Sequence, residues 1–160
     1  MRIGIGRDLH RLERGRRLVL GGVVVSECVG CIAHSDGDCL VHGVIDAMLG
    51  AMAMPNIGVL FPDSCEKNRG RSSLSMLVEV AEIVAAKGYV LSNADAVIML
   101  EQPKLSPFVG AMRHAIARSC GVGEGSIGIK ATTAEGLGHI GESMAIEVVC
   151  VCLLKTLVLK

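Results

Sequence analysis

Between residues 38 and 53 apolar side chains recur at helical spacing: Leu40, Val41, Val44, Ile45, Met48 and Leu49. Asp38, His42 and Asp46 recur every four residues in the same stretch, so on a helix they share one polar stripe. An otherwise apolar helix has to be packed into a core, and polar groups that go in with it need partners. The fold must therefore either supply partners for two carboxylates and an imidazole or leave that stripe facing water. The spacing fits both. A polar turn, His34-Ser35-Asp36-Gly37-Asp38, precedes the helix, with Ser35 or Asp36 expected as its cap, and Pro55 ends it.

Strand and helix patterns alternate along the rest of the chain. Residues 2–9 alternate with glycine and read as a strand. Leu18-Val19-Leu20, Gly21-Gly22 and Val23-Val24-Val25 read as a hairpin, with Arg11, Arg14, Arg16 and Arg17 on a solvated edge at its start. The segment 61–71 is polar, carries Pro and Gly, and is expected to be a mobile loop. A second helix spans 72–87 and stops at Gly88; a third starts near Pro107 and ends near Cys120. Strands are expected over 89–100, 126–131 and 144–157, with loops over 101–107 and 132–141. No repeat or linker interrupts the order, so residues 1–160 are expected to be one domain. The expected class is α/β: an α+β two-layer sandwich, a mixed sheet with three helices on one face plus an N-terminal hairpin. The other sheet face then needs cover, which a trimer packing sheet against sheet would give.

Composition narrows the function classes. Sixteen basic and sixteen acidic residues cancel, and aromatic residues make up 2% of the chain. Neither an electrostatic footprint for nucleic acid nor a base-stacking platform is expected. Apolar residues make up 51%, a large share for a small domain, which points to surface buried between subunits of a homo-oligomer. No secretory leader and no membrane-length apolar run is visible, so no membrane role and a cytoplasmic location are expected. Seven cysteines suit free thiols in a reducing compartment. Cys28 and Cys31 form a Cys-x-x-Cys, but no second pair has zinc-site spacing, so they read as small apolar residues. Cys150 and Cys152 share one strand face and read as core.

Asp8 and His10, two apart on a strand, point to the same side, where a carboxylate and an imidazole suit zinc. Alone, Asp-x-His does not specify a metal site. His42 from the helix would be a third ligand, leaving an open fourth position, with Asp46 orienting it from behind. His34 and Ser35 stand just before the helix, where backbone amides attract phosphate. Lys130-Ala131-Thr132-Thr133-Ala134-Glu135-Gly136 follows a strand; its hydroxyls and amides could grip a diphosphate, and Glu135 could hold a hard cation on it, although an ordinary turn fits as well. Lys104, between Pro103 and Pro107, adds a charge for the same phosphates.

Together these segments resemble the 2-C-methyl-D-erythritol 2,4-cyclodiphosphate synthases along nearly the whole chain. The resemblance is carried by Gly6-Arg7-Asp8-Leu9-His10-Arg11-Leu12 and Leu20-Gly21-Gly22-Val23, then by Ala33-His34-Ser35-Asp36-Gly37-Asp38 with His42, Asp46 and Gly50. Ile57-Gly58, Phe61-Pro62-Asp63, Gln102-Pro103-Lys104 and Lys130-Ala131-Thr132-Thr133-x-Glu135-x-Leu137-Gly138 complete it.

The resemblance implies a homotrimer with active sites between adjacent subunits. It implies zinc on Asp8, His10 and His42, magnesium or manganese on Glu135, and transition-state stabilisation by His34 and Thr133. The implied substrate is a cytidine diphosphate derivative, 4-diphosphocytidyl-2-C-methyl-D-erythritol 2-phosphate, cyclised with release of CMP. Leu100, Gln102, Pro103, Lys104, Leu105 and Ser106, with Ala131 and Thr132, would hold the cytidine diphosphate part. Ser35, Asn56, Ile57 and Gly58, with Phe61, Pro62, Asp63, Ser64 and Cys65, would hold the methylerythritol phosphate part. Asp38 and Asp46 would support the metal ligands.

The sequence departs from the family pattern in three places. Asn56 stands where Asp is usual, and Cys65 stands where Asp is usual. Around the late glycine loop His139, Glu142 and Met144 replace an aromatic, an arginine and a glutamate that in the family line a trimer axis able to take an isoprenoid diphosphate; an acid in place of the arginine would repel that anion. Two other readings use the same residues: a metal-dependent phosphohydrolase of nucleotides, and a trimeric metal- and nucleotide-binding protein without turnover.

Overall fold

The computed structural model describes residues 1–157. Its centre is a place where a helix lies directly on a strand. Strand β1 (Arg2–Arg14) turns Gly4 and Gly6 toward helix α1 (Cys39–Ala51). A methyl group on Gly6 would fall 2.1 Å from the Gly43 carbonyl oxygen, and one on Gly4 would fall 2.0 Å from that of Ala47. Gly43, Ala47 and Ala51 recur every four residues on α1, so the small face of the helix meets the bare face of the strand. The glycine alternation seen in the sequence is thus a packing device.

Five strands form the main sheet in the order β4-β1-β7-β5-β6. Here β4 is Val29–Cys31, β5 is Tyr89–Met99, β6 is Ile127–Thr132 and β7 is Ala145–Thr156. β5 and β6 run parallel and the other pairs antiparallel, so the sheet is mixed as expected. Register places Gly6, Cys150 and Ala96 in one row, and Gly4, Cys152 and Ala94 in the next. These small residues floor the groove in which α1 sits, and Cys150 and Cys152 are buried there as core residues. Helices α3 (Ser73–Ala86) and α4 (Val109–Cys120) continue the layer over β5 and β6. The opposite face is uncovered, with Ile3 72% and Ile5 67% exposed.

A separate hairpin, β2 (Leu18–Leu20) and β3 (Val23–Ser26), turns through Gly21 and Gly22 at positive φ. Asp38 holds it. This buried carboxylate accepts hydrogen bonds from the amides of Gly21 at 2.9 Å, Gly22 at 2.6 Å and Val41 at 3.0 Å. It therefore caps α1 and ties the hairpin to it. Burial pushes its carboxyl up to about 6, against the pull of the three amides.

The capping expectation is corrected accordingly. Neither Ser35 nor Asp36 caps α1; Ser35 Oγ accepts from the Gly37 amide, and Asp36 accepts from the amide of Ser73 at the start of α3. A short helix, α5 (Gly138–Gly141), lies in a segment read as a loop, and the β4 strand and another short helix, α2 (Ile57–Leu60), lie where the sequence reading placed no element. Each is too short to build a periodic pattern. β1 runs on to Arg14 because its far end pairs with β4. The segment 61–71 is held at several points. Phe61 is buried beneath the Arg71 guanidinium, Asn68 Nδ2 donates to the Pro62 carbonyl, and the Gly70 amide donates to the His34 carbonyl. No helix among the described residues is long and apolar enough to cross a membrane.

Two substitutions test this frame. Gly6→Ala forces α1 off the sheet and should lower unfolding free energy by about 1–3 kcal/mol or more, read from urea melts. Asp38→Ala strands three buried amides and should cost roughly 3–5 kcal/mol by the same measurement.

Candidate active site

Strand alternation carries Gly4, Gly6, Asp8 and His10 to one side of β1, under α1. Leu9 turns to the open face and is half exposed. Because the glycines let α1 sit so low, His42 comes into contact with the strand end. Its Nδ1 lies 3.1 Å from Asp8 Oδ2, and His10 Nδ1 lies 3.0 Å from the same oxygen. The His10 nitrogen is off the line of a hydrogen bond and is buried without a partner. One ligand atom from each of Asp8, His10 and His42 lies within 4.8 Å of the other two. One carboxylate and two imidazoles converging on a point, with the His10 nitrogen left unpartnered, fit a divalent cation with an open position.

The electrostatics match that use. Burial opposes charge on Asp8, but the adjacent imidazoles of His10 and His42 outweigh it and hold the carboxyl well below the usual range. Burial likewise opposes charge on His42, and Asp8 more than offsets it, raising the imidazole above its ordinary value.

On its other side His42 Nε2 lies 2.9 Å from Ser73 Oγ and 3.4 Å from Ser35 Oγ. Ser73 Oγ in turn donates to Asp36 Oδ1, and the Ser73 amide donates to Asp36 Oδ2 at 2.8 Å. Sequence reasoning missed Ser73 and misassigned Asp36; the serine sits in another helix, and only folding brings it to the histidine. The expected support from Asp46 and Asp38 takes a different form. Asp46 Oδ1 accepts from the Ile57 amide at 2.7 Å and so holds α2, while Asp38 serves the hairpin.

A cavity of about 340 Å³ opens over the three donors. Of the residues expected for a methylerythritol phosphate, Ser35, Ile57, Gly58, Phe61 and Asp63 line it, and His34 does as well. The Nε2 of His34 is buried without a partner. Asn56, Pro62, Ser64 and Cys65 do not line it. Asn56 instead caps α2, its side-chain oxygen accepting from the Val59 amide at 3.3 Å. Asn and Asp are equivalent in that role, so the departure at this position leaves the cap intact.

A second cavity, about 270 Å³, lies beyond the ends of β5 and β6. Leu100, Pro103, Lys104, Leu105 and Ser106 form one wall and Ala131, Thr132 and Thr133 the other, whereas Gln102 faces elsewhere. Thr133 Oγ1 donates to Glu135 Oε1 at 2.7 Å, and the Ala134 amide donates to Glu101. Glu135 holds a positive φ of 53°, a strained backbone that turns its exposed carboxylate back to Thr133. His139 lines a further, mostly apolar cavity with Leu9, Arg11 and Met144, and Glu142 lines another with Arg14. The metal-side cavity and the cavity beyond β5 and β6 share no lining residue within one chain.

Comparison with known proteins extends this geometry. The model of the YgbB family matches residues 1–155. The 2-C-methyl-D-erythritol 2,4-cyclodiphosphate synthase of Desulforamulus reducens is 47% identical over 155 residues, 97% of this chain and 99% of that one. A solved 2C-methyl-D-erythritol-2,4-cyclodiphosphate synthase in a CDP-bound form superimposes with a TM-score of 0.88 at 39% identity, covering 96% of this chain and all of that one. The bifunctional IspDF from Campylobacter jejuni gives a TM-score of 0.93 at 38% identity over 97% of this chain, which spans only 42% of that longer protein. With the family model matching nearly its whole length and that synthase 47% identical over 97% of it, the chain belongs to the YgbB family, that of the 2-C-methyl-D-erythritol 2,4-cyclodiphosphate synthases.

Proposed function

We propose that the chain closes a cyclic diphosphate. The 2-phosphate of 4-diphosphocytidyl-2-C-methyl-D-erythritol 2-phosphate attacks the β-phosphorus of the same molecule. A new P–O bond closes an eight-membered ring, and the bond from the β-phosphorus to the bridging oxygen breaks, so CMP leaves with that oxygen. The observation that carries this reading is one cavity holding both the convergent Asp8, His10 and His42 and the buried, unpartnered Nε2 of His34.

Nucleophile and target are both anions, so the site must neutralise and align them. Zinc on Asp8, His10 and His42, and magnesium or manganese on Glu135, would supply that neutralisation. His34 has a free ring nitrogen to donate to a phosphate oxygen as charge builds. Thr133 supplies a hydroxyl at the mouth of the other cavity. Phe61 and Met76, both buried, give the first cavity an apolar wall that disfavours water as a competing nucleophile.

One chain does not bring its two cavities together, and its sheet leaves Ile3 and Ile5 bare. A homotrimer packed through that face, with the nucleotide cavity of one subunit beside the metal cavity of the next, accounts for both. The family likeness supports it.

Turnover with that substrate, zinc and magnesium, followed by phosphorus NMR, should give CMP and a cyclic diphosphate in equal amounts. A linear product would favour the phosphohydrolase, and CDP binding without CMP release a non-catalytic protein. His34→Ala should lower kcat by roughly 10²–10³-fold while metal content holds. His42→Ala should lose zinc; metal analysis returning one zinc per chain would sink that ligand assignment. Zinc competes with the proton on His42, whose affinity Asp8 raises. Zinc affinity should therefore fall as pH drops through the raised histidine range, as calorimetry in buffers of different ionisation enthalpy would show.

A further inference from the structure

The single 3-10 turn within segment 61–71, Glu66–Asn68, ends on a side chain that the protein uses only in part. Asn68 is 6% exposed and lines the cavity over Asp8, His10 and His42. Its Nδ2 donates to the Pro62 carbonyl at 3.0 Å. A carbonyl oxygen can only accept, so the amide cannot be turned the other way round: nitrogen faces Pro62, and Oδ1 faces away from it. Among the described residues no donor meets that oxygen. Nor is it sealed inside the protein, since the fully buried side-chain atoms without a partner there belong to His10 and His34. Oδ1 therefore keeps a face open, and the space that Asn68 borders is the cavity.

A carboxamide oxygen accepts and never donates, so an ionised phosphate gives it nothing to bind. A hydroxyl does. The remaining groups of the cavity divide in the same sense. His34, with its free Nε2, suits an anion, whereas Asp63 on the loop brings acceptor oxygens, and Ile57, Phe61 and Met76 are apolar. We propose that Asn68 is a substrate-binding residue whose Oδ1 accepts a hydrogen bond from a free hydroxyl of the methylerythritol unit. The tie to Pro62 sets the oxygen in place before the ligand arrives, which lowers the cost of ordering it. The identity of the polyol rests on the function proposed above; the demand for a hydroxyl donor does not.

In that substrate C2 and C4 carry the phosphates, which leaves hydroxyls on C1 and C3. The probe is 2-C-methyl-D-erythritol 2-phosphate, which has no leaving group, with its analogues lacking the C1 or the C3 hydroxyl. Calorimetry on the zinc- and magnesium-loaded protein reads their affinities, and CMP release from the full substrate is followed in parallel. One analogue should bind wild type about 3–10-fold more weakly than the probe. Asn68→Ala should lose a similar factor on the probe and show no further loss on that analogue, because the two changes remove the same bond. Asn68→Asp keeps an acceptor but not the tie to Pro62, and should still prefer the probe to that analogue. A residue that only ties the loop gives additive losses instead, and additive losses overturn the proposal. So do equal affinities of wild type for all three compounds, or a probe that wild type does not bind. The expected pattern without CMP release keeps the hydroxyl contact and removes the cyclisation reading.

Discussion

The structure depends on a place where two backbones meet with no side chain between them. Gly4 and Gly6 of β1 take the weight of Gly43, Ala47 and Ala51 of α1. Helices normally stand off a sheet by the thickness of their side chains; here that layer is missing along two rows of the sheet. His42 can then reach the carboxylate of Asp8 directly, and a site assembled from a strand and a helix closes to hydrogen-bonding distance. The same contact sets the depth of the cavity above it. Packing and chemistry share one cause, and neither can be changed alone.

A second constraint lies in the turn before α1. Its carboxylates face different ways: Asp36 reaches the start of α3, and Asp38 reaches back to the hairpin while capping its own helix. The turn thus sets the positions of three elements at once. The loop over the cavity is tied to it as well, through the Gly70 amide and the His34 carbonyl. Residues that would touch a substrate therefore hang from the same segment that orients the metal ligands.

Much of this was legible in the sequence, for reasons that differ by element. The long helices and strands announced themselves because burial on one side imposes a period, and α1 and α3 agree with expectation to within two residues. Asp8 and His10 were legible because two residues on a strand share a face by geometry alone. The partners of the polar stripe were not. Spacing puts Asp46 beside His42, yet Asp46 is drawn off by the Ile57 amide, and the hydroxyl that does meet the imidazole comes from thirty-one residues along the chain. Local pattern carries no information about such a contact. The short elements β4, α2 and α5 were missed because three or four residues cannot display a period. Asn56, read as a substrate contact, is also the cap of α2, a role its spacing did not announce.

The buried cysteines bear on which ions the protein can pick up. Cys31 and Cys39 lie in the core close to the metal ligands, and the Cys39 thiol donates to the Asp8 carbonyl at 3.4 Å. Burial, reinforced by the surrounding carboxylates, pushes Cys31 up to about 12 and Cys39 higher still. Sulfur binds soft ions as thiolate, not as thiol. Keeping these two groups protonated leaves imidazole and carboxylate as the ligands on offer where Asp8, His10 and His42 converge, so two sulfur atoms can lie beside the cluster without joining it.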